Sequence, residues 1–446
     1  MANYFIVGMG KTGESTARFL LDRGEKVFGY DDQKKRSDLP SILLNHPAFF
    51  PLTASDILKL DWRNIQECIV SPGISSTHPV LVRCDQERIP VVSEVELACR
   101  MLHFPLIGIT GSNGKSTTVA LIGHILNRAG FSVFVGGNFG TPLIESVSSS
   151  NFYQWGVVEL SSFQLERVVK ARFQVAGILN LAPNHLDRHN TFKNYFFQKR
   201  NIFINQRKED LAIVNFSDPS WHTQLCQMIR GSIIPVTRFG KLLEGFFWEG
   251  QQIIEKYGEK EKVIDCQNWK LRGEHNRENL LFATAICRMV GVGIDQIEES
   301  LSTFQGLSHR IQKIADLNGV VFYDDSKSTT PTSTCAALNS LDGPLILLMG
   351  GKGKIKDFSE LTPHLSPTKV KTVILFGEDR EIIKTFIPDS IPTFLFTNLE
   401  EAFSKVRSLA VPGDCVLLSP ACTSWDQYAN YQERGEHFFR LVYGNQ

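Results

Sequence analysis

The sequence has no pair of cysteines at the C-x-x-C spacing that zinc sites and redox motifs use. Its nine cysteines are scattered singly along the chain. Disulfide frameworks are built from even sets of cysteines in secreted proteins, so an odd and dispersed set favours reduced thiols. The sequence therefore predicts a protein that has neither a structural zinc site nor disulfides.

Long apolar runs are missing as well. No stretch approaches the roughly 18 consecutive apolar residues of a transmembrane helix, and the first residues, Met-Ala-Asn-Tyr, lack the basic segment of a signal peptide. Neither sign of charge predominates, since 47 Lys and Arg residues balance 47 Asp and Glu residues. We therefore expect a cytoplasmic protein with no membrane insertion and no extended nucleic-acid surface.

What the chain does have is length and glycine-rich turns. Its 446 residues are too many for one hydrophobic core and suggest two to four domains. Short apolar strands alternate with helical stretches, and several strands end in glycine turns or polar residues. This alternation is typical of doubly wound α/β domains, which bind ligands at the carboxyl ends of their strands.

One such turn predicts a nucleotide-triphosphate site. A buried strand from Leu106 to Ile109 leads into the glycine loop 111–114, and Lys115 and Ser116 open a helix. Glycines let backbone N–H groups face a phosphate, the lysine reaches the outer phosphates, and the serine hydroxyl can hold magnesium. The loop is shorter than the usual P-loop, because Ile109 stands where its first glycine is expected.

A second glycine loop lies near the start of the chain. The strand Tyr4–Val7 is followed by Gly8-Met-Gly-Lys-Thr-Gly13, a helix from Glu14 to Arg23, and a strand that ends before Asp31 and Asp32. Alone, this G-x-G-x-x-G pattern predicts NAD or FAD binding, although it could serve any ligand with a pyrophosphate. A later strand, 68–70, ends in another small turn, Ser71-Pro72-Gly73.

The middle of the chain carries candidate metal ligands. Glu159 interrupts the apolar strand 155–160, and a carboxylate at that place in a P-loop domain is the expected magnesium partner. The segment His185-x-Asp187-x-His189 could also hold a metal, although loop histidines are as often solvated. Lys199, in a predicted helix over 195–203, has no evident role from its sequence context. Residues 241–270 alternate in polarity, with hairpin turns at 249–250 and 257–258.

The last third reads as another doubly wound domain. Strands over 320–323, 345–349, 372–376 and 415–418 each end in glycines or polar residues. Lys327 and Lys354 follow two of these strands, close to Asp325 and a glycine turn, and this position favours a role in binding an anion.

Together, these residues resemble the Mur ligases, the ATP-dependent amide-forming enzymes of peptidoglycan precursor synthesis. The resemblance covers essentially the whole chain and is closest to the members that add D-glutamate to UDP-N-acetylmuramoyl-L-alanine. The motifs that carry it are Thr110-Gly-Ser-Asn-Gly-Lys-Ser-Thr117, Glu159-Leu-Ser-Ser-Phe-Gln-Leu165, Gly273-Glu-His-Asn276, Leu307-Ser-His-Arg310, Asp325-Ser-Lys-Ser-Thr329 and Leu418-Ser-Pro-Ala-Cys-Thr-Ser-Trp-Asp-Gln427.

The resemblance implies three α/β domains: a Rossmann-like UDP-binding domain over 1–93, a P-loop ATP-binding domain with a small added β region over 94–306, and a Rossmann-like amino-acid-binding domain over 307–446. It implies ligation through an acyl phosphate, with release of ADP and phosphate. The implied cofactors are ATP, two magnesium ions and a carbamate formed from carbon dioxide on Lys199. The implied partners are the two substrates alone, and the implied state is a monomer.

The resemblance also assigns residues to roles. Catalysis falls to Lys115, His185, Lys199 and Arg310. The ATP site comprises Gly111, Ser112, Asn113, Gly114, Lys115, Ser116, Thr117, Asn276, Arg310 and Asp325. The UDP-substrate site comprises Gly8, Gly10, Lys11, Thr12, Gly13, Asp31, Ser71, Pro72, Gly73, Asn138 and Ser161. The D-glutamate site comprises Lys327, Thr329, Lys354, Ser424, Trp425 and Tyr431. The metal ligands are Ser116, Glu159, His185 and Lys199.

Three positions depart from the family pattern. The strand end that meets uridine often reads Asp-Thr-Arg in relatives and reads Asp31-Asp32-Gln33 here. Lys11 replaces an apolar residue in the first glycine loop. Asn184 stands where relatives usually have an aspartate, which removes a carboxylate near the expected magnesium site.

Three other functions fit the sequence less well. Folylpolyglutamate synthases share the ligase core but lack an N-terminal domain with a loop like Gly8–Gly13. A nicotinamide-dependent oxidoreductase would use that loop but leaves the P-loop unexplained. A nucleotide-dependent switch would use the P-loop alone and gives Asp325, Lys327 and Lys354 no purpose.

Overall fold

The computed structural model describes residues 1–148, 151–271 and 273–444. The chain divides into two compact units, the first formed by residues 1–269 and 277–304 and the second by 270–276 and 305–446. None of the helices in those described ranges has both the length and the apolar character needed to cross a bilayer. All nine cysteines are free thiols, which confirms the prediction that the chain has no disulfides.

The first unit begins with a five-stranded parallel sheet in the order β3-β2-β1-β4-β5. Its central strand is apolar and almost wholly buried, as expected for a strand that is covered on both faces. The strands are β1 (Asn3–Val7), β2 (Lys26–Tyr30), β3 (Phe49–Pro51), β4 (Glu67–Val70) and β5 (Val91–Ser93). The helices are α1 (Lys11–Asp22), α2 (Ser41–Leu44), α3 (Ala54–Ile57), α4 (Pro79–Gln86) and α5 (Glu94–Cys99).

Helix α1 starts three residues earlier than the sequence suggested, at Lys11 rather than Glu14. Gly13 therefore lies inside its first turn. A Cβ atom built on Gly13 would lie 2.1 Å from the carbonyl oxygen of Gly8, so only glycine lets the helix approach the end of β1 this closely. The last glycine of the motif thus serves helix–strand packing rather than the turn itself.

The same unit holds a nine-stranded sheet in the order β14-β13-β12-β11-β10-β9-β6-β8-β7. Seven strands, from β6 to β12, pair in parallel, and the predicted hairpins add β13 and β14 antiparallel at one edge. The strands are β6 (Leu106–Thr110), β7 (Val133–Gly137), β8 (Trp155–Glu159), β9 (Val175–Ile178), β10 (Leu211–Asn215), β11 (Ser232–Thr237), β12 (Glu244–Glu249), β13 (Gln252–Tyr257) and β14 (Lys260–Asp265).

The helices of this part are α6 (Lys115–Arg128), α7 (Ile144–Ser148), α8 (Ser162–Leu165), α9 (Leu186–His189), α10 (Phe192–Arg200), α11 (Pro219–Cys226), α12 (Glu274–Met289) and α13 (Ile294–Thr303). Helix α6 buries an apolar face, with Val119, Ile122, Ile125 and Leu126 fully inaccessible. That packing fixes the direction of α6, and its first turn faces the carboxyl ends of β6 and β8.

The second unit is a six-stranded sheet in the order β15-β16-β20-β17-β18-β19. Its strands are parallel except β15, which pairs antiparallel with β16. The strands are β15 (Gln312–Leu317), β16 (Val320–Asp324), β17 (Leu345–Gly350), β18 (Val370–Phe376), β19 (Thr393–Leu395) and β20 (Cys415–Leu418). The helices are α14 (Pro331–Ser340), α15 (Arg380–Lys384), α16 (Leu399–Leu409) and α17 (Tyr431–Tyr443).

Glu96 is a buried carboxylate that joins α5 to the segment before β9. One of its oxygens accepts the backbone N–H groups of Val169, Lys170 and Ala171 at 2.8–2.9 Å. The other oxygen accepts Nε of Arg100 at 2.9 Å. A carboxylate held by four donors anchors this segment to the helix, because hydrogen bonds to a charged acceptor are stronger than those between neutral groups.

We expect the substitution Glu96→Gln to destabilise the first unit by about 2–3 kcal/mol, because the amide loses the negative charge and sets an N–H donor against one of the four existing donors. Thermal unfolding should show a melting midpoint lower by about 4 °C or more. Glu209→Gln is the matched control. Its carboxylate pairs with Arg172 but is 63% exposed, and the change should leave the midpoint nearly unaltered. Equal shifts for both variants would contradict the anchoring role.

Candidate active site

The loop between β6 and α6 has the backbone that a phosphate-binding turn needs. Gly114 has φ +81°, and a Cβ atom there would lie 2.1 Å from Oδ1 of Asn279. Any other residue would therefore strain the backbone and displace that amide. Gly114 is also the N-cap of α6, so the first N–H groups of Lys115, Ser116 and Thr117 lie at a helix terminus, where backbone donors lack intrahelical acceptors.

The front of this loop is fastened by Asn180, which follows β9. Its backbone oxygen accepts the N–H of Ser112 at 3.0 Å, and its side-chain oxygen accepts the N–H of Asn113 at 2.9 Å. The Ser112 hydroxyl meets the hydroxyl of Tyr195 at 2.9 Å. These contacts of Ser112 and Asn113 fix the shape of the loop. The N-terminus of α6, which follows it, presents N–H donors to an anion.

Lys115 folds over the same loop. Its Nζ donates to the backbone oxygens of Gly111 at 2.8 Å and Ser112 at 3.0 Å. An ammonium group in this position is a local positive charge beside the terminus of α6, where a polyphosphate would meet both.

Glu159 lies at the end of β8 and is only 3% exposed. Nδ2 of Asn138 donates to one carboxylate oxygen at 2.9 Å, and the other oxygen is buried and has no hydrogen-bond partner among the described residues. A buried carboxylate oxygen without a partner is costly unless a cation accompanies it. Carboxylate and hydroxyl oxygens are the ligands that magnesium prefers, so Glu159 and the nearby buried Ser116 fit that ion.

Lys199, on α10, is buried beneath the loop. Its Nζ donates to Oγ1 of Thr110 at 3.1 Å and to the backbone oxygen of Gly111 at 2.9 Å, and it lies over the ring of Tyr195. Burial lowers the pKa of this amine well below its usual range, Lys115 lowers it further, and Glu159 acts in the opposite sense. A neutral amine has two N–H donors and one lone pair, so these two bonds leave the lone pair for reaction with an electrophile.

The histidines of the His185–His189 segment are in different environments. His189 is buried, meets the Ser162 hydroxyl through Nε2 at 2.9 Å, and stacks on Phe163. His185 is exposed, has φ +53°, and packs edge-on against the same ring. The Asp187 side chain lies outside the described part of the chain. The two histidines therefore do not form a shared ligand pair, and His185 alone stays a candidate ligand. Across the described ranges no group of three or more His, Cys, Asp or Glu side chains could hold a metal.

The first glycine loop packs against the turn after β4. The Ser71 hydroxyl donates to the backbone oxygen of Gly8 at 2.7 Å. The Pro72 oxygen accepts Nη1 of Arg188 at 3.0 Å, and Nζ of Lys11 donates to the Gly140 oxygen at 2.7 Å. The unusual Lys11 thereby ties this loop to the glycine turn after β7. Of the remaining predicted UDP-site residues, Gly10 lies in the same loop, Thr12 and Gly13 lie in the first turn of α1, and Gly73 lies in the turn after β4.

Asp31 shapes this loop from β2. Its carboxylate accepts the N–H of Met9 at 2.7 Å and the N–H groups of Gln33 and Lys34 at 2.9 Å. Burial pushes the pKa of Asp31 upward, but the backbone donors outweigh burial and the pKa lies below its usual range. Its carboxylate thus binds the backbone of both the first glycine loop and the turn after β2. Ser161, also predicted for this site, is the N-cap of α8 and accepts the N–H of Gln164.

In the second unit, Asp325 follows β16 and is buried. Its carboxylate accepts the Ser419 hydroxyl at 2.7 Å and the N–H of Ile311 at 3.2 Å. Burial raises the pKa of Asp325 to about 7, although these donors and the charge of Arg310 act against the rise. Asn276, at the start of α12, is also buried.

The predicted amino-acid site draws on the ends of three strands and on α17. Nζ of Lys327 donates to the Tyr431 hydroxyl at 3.0 Å and lies over that ring. Ser424 is buried, whereas Trp425 is 69% exposed. Lys354 is exposed and Thr329 is partly buried. Lys327 and Tyr431 are thus in direct contact, and the other four lie on the loops that follow β16, β17 and β20.

Three family models match the chain in sequence. The MurD-like N-terminal domain of the Mur ligases matches residues 2–93, the Mur ligase middle domain matches 109–287, and the Mur ligase glutamate ligase domain matches 309–422. The chain belongs to the Mur ligase family. Because this match covers residues 2–93, the Gly8–Gly13 loop belongs to a Mur ligase N-terminal domain rather than to a nicotinamide-binding domain.

Curated Mur ligases resemble the chain along its whole length. The protein named UDP-N-acetylmuramoylalanine--D-glutamate ligase in Syntrophus aciditrophicus (strain SB) is 38% identical, covering 97% of this chain and 96% of that protein. A protein of the same name in Caldanaerobacter subterraneus subsp. tengcongensis is 36% identical, covering 98% and 97%.

Solved Mur ligases share the fold. MurF ligase from Thermotoga maritima, solved in complex with ADP, superposes with a TM-score of 0.62 at 18% identity, covering 95% of this chain and 96% of that one. UDP-N-acetylmuramate-alanine ligase MurC from the same organism gives a TM-score of 0.61 at 18% identity and full coverage of both chains. The three-domain α/β fold expected from the sequence is confirmed.

Sequence reasoning missed several residues that shape this Mur ligase site. Asn180 follows the apolar residues 175–179, a signal like the one that singled out Glu159, but its role in holding the loop depends on which strands are neighbours in the sheet. Tyr195 precedes Lys199 by four residues, and this helical spacing could have paired them. Ser419 had no local signal, because its partner Asp325 is distant in sequence.

Proposed function

We propose that this Mur ligase joins D-glutamate to the L-alanyl carboxylate of UDP-N-acetylmuramoyl-L-alanine, with conversion of ATP to ADP and phosphate, in the cytoplasmic synthesis of peptidoglycan precursors. The observation that carries the proposal is the full-length similarity to proteins named for this ligation. We propose that it acts as a monomer, and that residues 1–93, 94–306 and 307–446 serve the UDP-substrate, ATP and D-glutamate respectively.

The reaction must first bring two anions together. The alanyl carboxylate attacks the γ-phosphorus of ATP and releases ADP, which leaves an acyl phosphate. Lys115 and the N-terminus of α6 supply positive charge where the phosphates bind, and Arg310 adds a second cation. In the second step the amine of D-glutamate attacks the acyl carbon, loses a proton, and expels phosphate.

Ser116 and Glu159 are the proposed ligands of one magnesium ion, and His185 is the proposed ligand of a second. Bound magnesium would neutralise phosphate charge and so lower the barrier to the approach of the carboxylate. Lys199 is the proposed site of a carbamate, since burial lowers the pKa of its amine and so favours the unprotonated form that adds to carbon dioxide. Addition with loss of a proton gives a carbamate anion, which would place an oxygen donor near Glu159.

The remaining assignments follow the same proposal. The first glycine loop and the 71–73 turn bind the UDP moiety, with Asn138 and Ser161 at the sugar–phosphate portion. Asn276 and Asp325 contact ATP. The amino acid is received by Lys327, Thr329, Lys354, Ser424, Trp425 and Tyr431.

Phosphate release tests the proposal directly. The purified protein with ATP, magnesium and UDP-N-acetylmuramoyl-L-alanine should release phosphate rapidly with D-glutamate and far more slowly with L-glutamate, L-alanine or a diamino acid. The UDP-linked product should gain the mass of one glutamate residue. Activity restricted to another amino acid would assign the chain to a different branch of the family.

We expect Glu159→Gln to weaken magnesium binding by about 10-fold or more, because the partnerless carboxylate oxygen becomes part of a neutral amide. The magnesium concentration for half-maximal activity should rise, and so should the dissociation constant for Mn²⁺ measured by electron paramagnetic resonance. Glu166→Gln is a useful control, since that partly exposed carboxylate pairs with Arg188 and Arg167. An unchanged metal requirement in Glu159→Gln would remove this residue from the ligand set.

A further inference from the structure

Arg434, in the second turn of α17, is the largest fully buried side chain in the described part of the protein. Its guanidinium donates to the backbone oxygen of Ser326 at 2.8 Å, to the Ser326 hydroxyl at 3.0 Å and to the Cys422 oxygen at 3.0 Å, with a longer contact of 3.5 Å to the Gly350 oxygen. These acceptors are three carbonyls and one hydroxyl.

The three partner residues lie at the carboxyl ends of three different strands or on the loops that follow them. Ser326 follows β16 and is next to Lys327. Gly350 ends β17 and leads to Lys354, and Cys422 lies in the loop after β20 that carries Ser424. Each loop therefore supplies at least one residue of the proposed D-glutamate site, and one guanidinium holds all three.

Helix α17 completes the arrangement. Its first residue, Tyr431, accepts the Ser326 hydroxyl through its backbone oxygen at 2.8 Å and meets Nζ of Lys327 through its own hydroxyl. The next residue after Arg434 is Gly435, where a Cβ atom would lie 2.1 Å from Nδ1 of His309. The helix thus approaches His309 and the end of β16, at Asp324, as closely as its backbone allows.

A buried cation whose hydrogen bonds go to neutral groups is a poor source of stability. Burial lowers the pKa of Arg434 to about 10, so the guanidinium is still charged at neutral pH. Its planar fork offers donors in three directions at fixed angles, which a lysine ammonium cannot reproduce. Arginine differs from lysine here in geometry, because one guanidinium contacts the ends of three strands at once.

We propose that Arg434 is a positioning residue for the amino-acid substrate: it fixes the three loops at the ends of β16, β17 and β20 so that their cations and hydroxyls face one dicarboxylic amino acid. This inference rests on the proposed ligation of D-glutamate. Arg434 acts through the loops and makes no contact with the substrate itself.

The test compares Arg434→Lys and Arg434→Gln with wild type, using steady-state kinetics for each of the three substrates. We expect the KM for D-glutamate to rise at least about 10-fold in both variants, because loop displacement weakens several contacts together. The KM values for ATP and UDP-N-acetylmuramoyl-L-alanine should change less than twofold. Arg440→Gln is the matched control, since that arginine is exposed on the same helix and should leave all three values unchanged.

The outcomes separate this inference from the proposed function. If wild type does not use D-glutamate, the proposed function fails. If wild type uses it and the KM for D-glutamate in Arg434→Lys is unchanged, or all three KM values rise equally, the positioning role fails. Melting midpoints distinguish loss of fold from loss of position, and Arg434→Lys, which retains the charge, should melt within a few degrees of wild type.

Discussion

Replacing Lys115 by alanine should lower the rate of ligation about 1,000-fold or more, because the variant loses the cation that lies over the phosphate loop. The wild-type ammonium contacts the oxygens of Gly111 and Ser112, so it is already placed beside the terminus of α6. The loss should appear in kcat as well as in the KM for ATP, since charge develops during phosphoryl transfer. Phosphate release under saturating substrates measures it.

Two controls sharpen this prediction. Arg128→Ala removes an exposed cation at the far end of the same helix and should leave the rate unaltered. Lys115→Arg keeps the charge with a different shape and should recover only part of the rate. If Lys115→Ala retained more than a tenth of wild-type activity, the loop would not be the site of phosphoryl transfer.

Replacing Lys199 by alanine should lower the rate about 100-fold or more, because the protein loses the group proposed to become a carbamate beside Glu159. Short carboxylic acids such as formate should restore part of the activity, since they can occupy the vacated volume as a substitute anion. The low pKa of Lys199 gives this prediction a pH dependence with a definite sign. Lower pH protonates the amine, so reactivation of wild type by bicarbonate after removal of carbon dioxide should slow as the pH falls.

Lys193→Ala supplies the comparison, because this lysine is exposed on the same helix and lies over Phe197. It should be fully active and indifferent to added acids. A Lys199→Ala variant with near wild-type activity in the absence of added acids would exclude the carbamate. Mass spectrometry of wild type under carbon dioxide, with trapping of the carbamate, provides a readout that does not depend on turnover.

The sequence predicted the parts of the fold that depend on local pattern. The strands before Gly8, Gly111 and Asp325 were recognised because apolar runs there end at glycine or polar residues. The free cysteines were predicted from their odd and scattered number, and the two hairpins before residue 270 from alternating polarity and glycine turns. Helix boundaries were less accurate, since Gly13 looked like the end of a turn and proved to be inside a helix.

The residue types in the site could be predicted from the sequence, but their contacts in three dimensions could not. Glu159 was identified from its place at a strand end, and its partnerless oxygen supports the expected role. Lys199 had no signal of its own, because its low pKa comes from burial under a loop that lies more than eighty residues away. His189 looked equivalent to His185, and only its burial and its hydrogen bond to Ser162 distinguish it from the exposed His185. Such distinctions depend on tertiary contacts that one-dimensional spacing does not contain.

The outer strand of the nine-stranded sheet has a consequence for handling the protein. β14 is the last strand at one edge of this sheet in the described part of the chain, and its Lys260, Glu261 and Lys262 are consecutive exposed residues. A strand from another molecule would have to desolvate these charges to pair there, and this opposes edge-to-edge association. The charges on the outermost hairpin strand thus oppose aggregation. Substituting threonine for both lysines should make concentrated solutions form fibrous or turbid deposits more readily.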